Sequence, residues 1–217
     1  MLVKDYMTRH PLMAAPTMPI VEAQRYMGEN NIRHLPVVGD GKRLLGLVTK
    51  QSLLVPPGTL GSLNVWEITR FLSDLTVGDV MVKVQDVVTI EQDATIEEAA
   101  RIMVENKFGC LPVLEEGIVV GIITETDLLA QLMEMMVTRV PGVRVTVRMP
   151  DTKGELAKLV SAINAQGWAI MACGGARPPK QPGKWDAVAK IPHVSQEEVV
   201  AVLKQVEGQE IVDVREA

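Results

Sequence analysis

The sequence predicts an α/β fold in two parts, a duplicated unit over residues 1–140 and a different unit over residues 141–217. Three observations lead there. One stretch recurs at a spacing of about 75 residues, which is longer than the usual solenoid period. Short apolar runs of strand length alternate with stretches of helical period. After Pro141-Gly142 the recurring pattern stops and a βαββαβ order replaces it.

The first copy, over about residues 1–55, contains Val3 to Met7, then Pro19 to Met27, Ile32 to Val38, Leu45 to Thr49 and Ser52 to Leu54. The second, over about 75–138, answers with Val77 to Met81, Ile96 to Met103, Phe108 to Leu114, Val120 to Thr124 and Asp127 to Leu129. In the second copy Thr95 and Glu98 have capping-box spacing, and Ile96, Ala99, Ala100 and Met103 recur on one helical face. Leu111 to Leu114 and Ile118 to Thr124 read as two strands joined at Glu115-Glu116-Gly117, and Gly39-Asp40-Gly41 supplies the matching turn in the first copy. Strands apolar on both faces imply sheets covered on both sides, so the copies are expected to pack into one domain. Pro56-Pro57-Gly58 breaks the chain, and a linker helix is expected over about 62–74.

The tail reads as a strand at Val143 to Arg148, a turn at Asp151 to Gly154 and a helix at Glu155 to Ala165. A strand around Trp168 to Cys173, a Gly- and Pro-rich segment, a strand at Trp185 to Ile191, a helix from Gln196 to Gln205 and a strand at Ile211 to Val214 follow. This is the ferredoxin-like order.

A net charge of -5, only 3% aromatics and no basic stripe argue against nucleic acid as a partner. The N-terminal residues never develop a signal peptide's apolar run, and Ile118 to Ile123 is too short to cross a bilayer, so a cytoplasmic protein away from membranes is expected. Cys110 and Cys173 are expected to be reduced, buried thiols. His10 and His193 have no ligating residues at metal spacing, and neither a nucleophile–base pair nor a glycine-rich phosphate loop is present. No metal, no cofactor and no enzymatic activity are expected.

Thr124-Glu125-Thr126-Asp127 sits where a strand meets a helix. Its hydroxyls and carboxylate either hold a polar ligand beside unpaired helix N–H groups or cap the helix. From this segment alone, capping is the simpler reading.

The repeats resemble CBS motifs, on Asp5-Tyr6-Met7 and Asp79-Val80-Met81, on Leu35-Pro36-Val37 and Leu111-Pro112-Val113, and on the Gly46 to Thr49 and Gly121 to Thr124 turns. The tail resembles an ACT domain, on Asp151 to Leu156 and on Gln166 to Ile170. The combination is similar to the acetoin-utilisation regulator B family. The CBS resemblance implies a regulatory sensor that binds AMP, ADP, ATP or another adenosine derivative. It implies that Thr124, Thr126 and Asp127 hold ribose and phosphate while Leu12 and Ile32 flank the base. Arg33 and His34 are either phosphate partners or a solvated strand entry. Gly109 and Cys110 depart from the family where phosphate-binding side chains often stand. The ACT resemblance implies an amino-acid effector site at Asp151, Gly154 and Glu155. An ordinary strand-to-helix turn, with Gly154 allowing close approach, is preferred there, because Ala169 stands where amino-acid-binding members often have Asn. A homodimer with an unidentified protein partner is expected, and the alternative is an assembly module without a ligand.

Overall fold

In the computed structural model, residues 1–54 and 64–217 are described, and the chain break expected at Pro56-Pro57-Gly58 lies outside them. Contacts divide the chain into two compact units, Met1–Leu128 and Leu129–Ala217.

The first unit begins with α1 (Val3–Tyr6) and β1 (Thr8–Arg9), followed by α2 (Ile20–Glu29), β2 (His34–Val38) and β3 (Leu44–Thr49). After α3 (Val65–Asp74) the pattern repeats as α4 (Val77–Val80), β4 (Val82–Lys83), β5 (Ile90–Glu91), α5 (Ile96–Asn106), β6 (Cys110–Glu115), β7 (Ile118–Thr124) and the first turn of α6 (Glu125–Met135), whose residues from Leu129 on belong to the second unit. Local chemistry accounts for several boundaries. Thr95 Oγ1 accepts from Glu98 N and caps α5, while Asn64 and Glu67 form a reciprocal capping box on α3. The β6–β7 turn places Glu116 and Gly117 at φ 51° and 80°, the two left-handed positions of the hairpin turn that matches strand twist. In the first repeat the chain after β3 forms only a series of turns as far as Leu54, where the second repeat has a helix.

The two repeats exchange edges. β1 of the first repeat pairs with β7 of the second through Thr8–Ile122 and Arg9–Gly121. β4 of the second pairs with β3 of the first through Val82–Leu47 and Lys83–Gly46. The chain leading into each exchanged strand is anchored the same way, Val3 N donating to Ala94 O and Val77 N to Met18 O, both at 2.8 Å. The cores follow the exchange. Val3 and Met7 are buried with Ile96, Met103, Leu111 and Ile123, whereas Val77 is buried with Ile20, Met27, Leu35 and Val48. Gly46 and Gly121 make the crossings possible: a Cβ on Gly46 would collide with Val82 O, and one on Gly121 with Met7 Sδ.

The second unit is β8 (Val143–Pro150), α7 (Glu155–Ala165), β9 (Ala172–Ala176), β10 (Lys184–Ile191), α8 (Gln196–Leu203) and β11 (Glu210–Glu216). Its strands lie in the order β11-β8-β10-β9, all antiparallel, with both helices packed on one face through Leu159, Ile163, Val199 and Leu203. On β8, alternate residues Val143, Val145, Val147 and Met149 enter this core. The strand expected at Trp168 to Cys173 starts later. Trp168 and Ile170 pack against the core without pairing, and the strand runs instead through Gly174 and Gly175, where a side chain at 175 would strike the Trp185 ring. Cys173 is exposed rather than buried because β9 is the sheet edge, and both cysteines are free. No helix among the described residues is long and apolar enough to cross a membrane.

On β8 and β10, Arg148 and Asp186 stand directly opposite and form a two-pronged pair, Nε to Oδ1 and Nη2 to Oδ2, each 2.7 Å. The guanidinium holds the Asp186 carboxyl below its ordinary value. The pair therefore stabilises the fold above the usual aspartate range and is lost as pH falls through the lowered value. Asp186→Asn is expected to lower the urea midpoint at pH 7, and the difference from the parent is expected to close progressively below about pH 4. Gly46→Ala should cost about 1–3 kcal/mol in urea unfolding, because the obstacle is backbone. Gly28→Ala, in α2 with nothing within 4 Å of the added carbon, should instead stabilise by about 0.4–1 kcal/mol.

Candidate functional site

The junction of β7 and α6 is built as a cap. Thr124 N and Oγ1 both donate to Asp127 Oδ2, at 2.8 and 2.7 Å, and Asp127 N donates back to Thr124 Oγ1 at 3.4 Å. The same bonds hold the carboxylate in one orientation. A carboxylate offers about four acceptor positions, and these bonds engage a single oxygen, so acceptor capacity remains for a ligand. Capping and ligand binding are compatible roles here.

The matching junction in the first repeat has the same shape and different chemistry. Thr49 N donates to Ser52 Oγ, Ser52 N donates to Thr49 Oγ1, and Ser52 Oγ donates to Thr49 O, all at 3.0 Å. The Ser52 hydroxyl is used locally in both directions.

Between the repeats lies a cavity of about 430 Å³, within the ordinary range for small ligands. Thr124, Thr126 and Asp127 line one side. Leu12, Ile32, Arg33 and His34 line it from the first repeat. The structure thus brings together all seven residues singled out in the sequence. Leu12 and Ile32 are half-buried and rest on the first repeat's core, presenting apolar side chains of fixed position. Arg33 Nη2 reaches to 3.4 Å from Thr126 Oγ1, linking the two repeats. Burial, reinforced by Arg33 and partly opposed by Glu125, pushes the His34 imidazole below its ordinary value, so at neutral pH it is uncharged. Arg33 is then the permanent cation of this cavity.

Thr8, Pro11, Asn30, Asn31 and Ile122 also line the cavity and were not singled out from the sequence. Asn30 and Asn31 carry a readable signal, an Asn pair directly after a helical period. Asn30 ends α2 with its Nδ2 on Tyr26 O, and Asn31 takes the left-handed conformation at φ 52° that turns the chain toward Ile32. Ile122 is found by aligning the repeats, because it faces Thr8 of the exchanged strand.

A neighbouring cavity of about 360 Å³ shares Arg33 and His34 with the first and is otherwise lined by Leu47, Thr49 to Gln51 and Lys107 to Cys110, with Glu125. Burial pushes the Cys110 thiol up to about 12, so it contributes no charge. A further cavity of about 820 Å³ lies in the second unit beside Met171, His193 and Glu216 and contains none of the seven candidate ligand residues.

In the tail, both candidate carboxylates are engaged. Asp151 accepts from Arg177 Nε at 2.8 Å, and Glu155 accepts from Lys158 Nζ at 2.6 Å and from Gln209 Nε2 at 3.3 Å. Gly154 is needed for its left-handed φ of 97° rather than for close approach, since an added carbon would meet nothing within 4 Å.

The CBS-domain family profile matches residues 3–55 and 77–134, just over half of the chain. An uncharacterized protein of Methanocaldococcus jannaschii is 33% identical over 131 residues, covering 59% of this chain and 46% of that protein. This chain therefore spans about half the length of that curated relative. The solved structure of AcuB from Vibrio cholerae, a protein assigned to acetoin utilization, is 30% identical, with a TM-score of 0.53 over 64% of this chain and 95% of that one. That of the Arabidopsis thaliana CBS-pair protein CBSX2 in complex with AMP is 25% identical, with a TM-score of 0.51 over 61% and 96%. With two matched stretches that exchange edge strands and enclose a cavity, the chain belongs to the CBS-domain family.

Proposed function

We propose that this protein is a regulatory sensor that binds an adenosine nucleotide in the cavity between its repeats and passes the bound state to a partner, acting by binding rather than catalysis. The observation that carries the reading is the convergence of Leu12, Ile32, Arg33, His34, Thr124, Thr126 and Asp127 on one cavity. Leu12 and Ile32 sandwich the adenine, the Asp127 carboxylate accepts from the ribose hydroxyls, and Thr124, Thr126 and Arg33 meet phosphate. The AMP complex of CBSX2 supports the ligand class. Residues 1–140 act as the CBS pair. Residues 141–217 act as an ACT-like domain, a reading supported by the β11-β8-β10-β9 sheet order. AcuB supports placing the chain near the acetoin-utilisation regulators. With Asp151 and Glu155 already committed, the tail serves assembly rather than amino-acid binding.

The protein acts as a homodimer. Helix α6 presents Leu129, Leu132, Met133 and Met135, each 45–59% exposed, on a surface that a second copy would cover. Light scattering at micromolar concentration should report twice the 23.7 kDa chain mass, and Leu132→Glu should halve it. A monodisperse monomer of the parent contradicts the dimer.

Removing hydrogen bonds to a charged acceptor costs about 1.5–3 kcal/mol, so Asp127→Ala should weaken adenosine-nucleotide binding at least about tenfold in titration calorimetry. Ser52→Ala should change little, and a 2′-deoxynucleotide should bind parent and Asp127→Ala with a smaller difference than the ribonucleotide. An Asp127→Ala variant that binds as tightly as the parent, or two equivalent sites per chain, defeats the assignment. A nucleotide thermal-shift screen without any response favours the ligand-free assembly module instead.

A further inference from the structure

The two neighbouring cavities occupy equivalent places in the duplicated fold, so their differences are informative. Three differences point the same way. In the second cavity the position equivalent to Asp127 is Ser52, whose hydroxyl is already bonded to Thr49 N and Thr49 O. It leaves one acceptor position, too few to receive both hydroxyls of a sugar diol as a carboxylate does. The positions equivalent to Arg33 and His34 are Gly109 and Cys110, one without a side chain and the other a buried neutral thiol, which keeps that wall small. And the lining gains Lys50 and Lys107, which together with the shared Arg33 set three cations against the single carboxylate of Glu125.

None of those three cations forms an ion pair among the described residues. Lys107 reaches the cavity from the end of α5 in a left-handed conformation, φ 58°, where helices usually place glycine or asparagine. A cavity with cations, little bulk and a serine in place of the diol-binding carboxylate is suited to an anion rather than to a second nucleoside. Because Arg33 and His34 form part of both linings, a phosphate chain that meets Arg33 in the first cavity can continue into the second.

We infer that the second cavity receives the polyphosphate chain of the nucleotide whose nucleoside occupies the first, so that the ligand is a nucleoside diphosphate or triphosphate, one per chain, rather than a monophosphate. The inference rests on the reading of the first cavity as an adenosine site. Lys50 and Lys107 act as point charges on the terminal phosphates, while Arg33 bridges the inner ones.

Titration calorimetry of the intact chain with AMP, ADP and ATP in buffer free of divalent cations tests this. The parent should bind one ATP at least about tenfold more tightly than AMP, with ADP between them, and the preference should narrow as salt is raised. The double variant Lys50→Ala/Lys107→Ala should lose the preference while keeping AMP affinity within about twofold, and Lys50→Arg/Lys107→Arg should retain most of it. AMP binding as tightly as ATP in the parent, or a preference that survives the double alanine variant, overturns the inference. If no adenine nucleotide binds at all, the adenosine reading fails by itself, and inorganic tripolyphosphate then decides the second cavity. Binding of tripolyphosphate that disappears in the double alanine variant supports a polyanion site, and binding that is absent or independent of the lysines removes it.

Discussion

The exchange of edge strands between the two repeats is the constraint on which the rest of the first unit depends. Each repeat contributes a hairpin and a helix but lacks one edge. The missing pieces are two-residue strands, Thr8–Arg9 and Val82–Lys83, delivered by the opposite repeat. Val3 and Met7 travel with one and Val77 precedes the other, so each core contains residues from both halves of the duplication. Two glycines, Gly46 and Gly121, are the price of the close crossings. Neither repeat can complete its sheet alone, and the cavity at their junction has a wall from each.

That arrangement explains how one repeated pattern yields two unlike cavities. The strand-to-helix junctions at Thr49 and Thr124 keep the same self-bonded geometry, with a residue three positions later returning to the threonine. A single difference in that residue, serine or aspartate, changes what is left over. Asp127 keeps a whole carboxylate oxygen after its local bonds are made, whereas Ser52 keeps a single lone pair on a neutral hydroxyl. Charge follows a similar division, with Lys50 at the position where the second repeat has Glu125. Duplication supplies the frame, and a few side chains set the chemistry of each half.

Much of this was legible in the sequence where periodicity is strong. The helices Ile96–Asn106 and Glu155–Ala165, the strand Ile118–Thr124 and the antiparallel hairpins follow from helical spacing, two-residue alternation and turn residues. The exchanged strands were not legible, since two residues carry no period and their partners lie more than 30 residues away. The strand at Ala172–Ala176 was misplaced because Trp168 and Ile170 are apolar for packing, not for pairing, while Gly174 and Gly175 hide a strand behind turn-forming residues. Thr124, Thr126 and Asp127 were visible as a motif. Leu12 and Ile32 were named only through the family resemblance, because their role depends on a partner repeat that spacing does not reveal. Nothing in the sequence singles out Lys50 and Lys107, and only the cavity that joins them gives them a common purpose.

The central claim is that a single nucleotide bridges both repeats at one junction. Hydrogen–deuterium exchange on the intact chain, with and without saturating ATP, tests it most directly, because protection is read separately for each segment. The account predicts slower exchange in peptides covering residues 8–12 and 30–34 of the first repeat and, in the same experiment, residues 122–127 of the second. Protection confined to one repeat, or absent from both while ATP is bound, would contradict it.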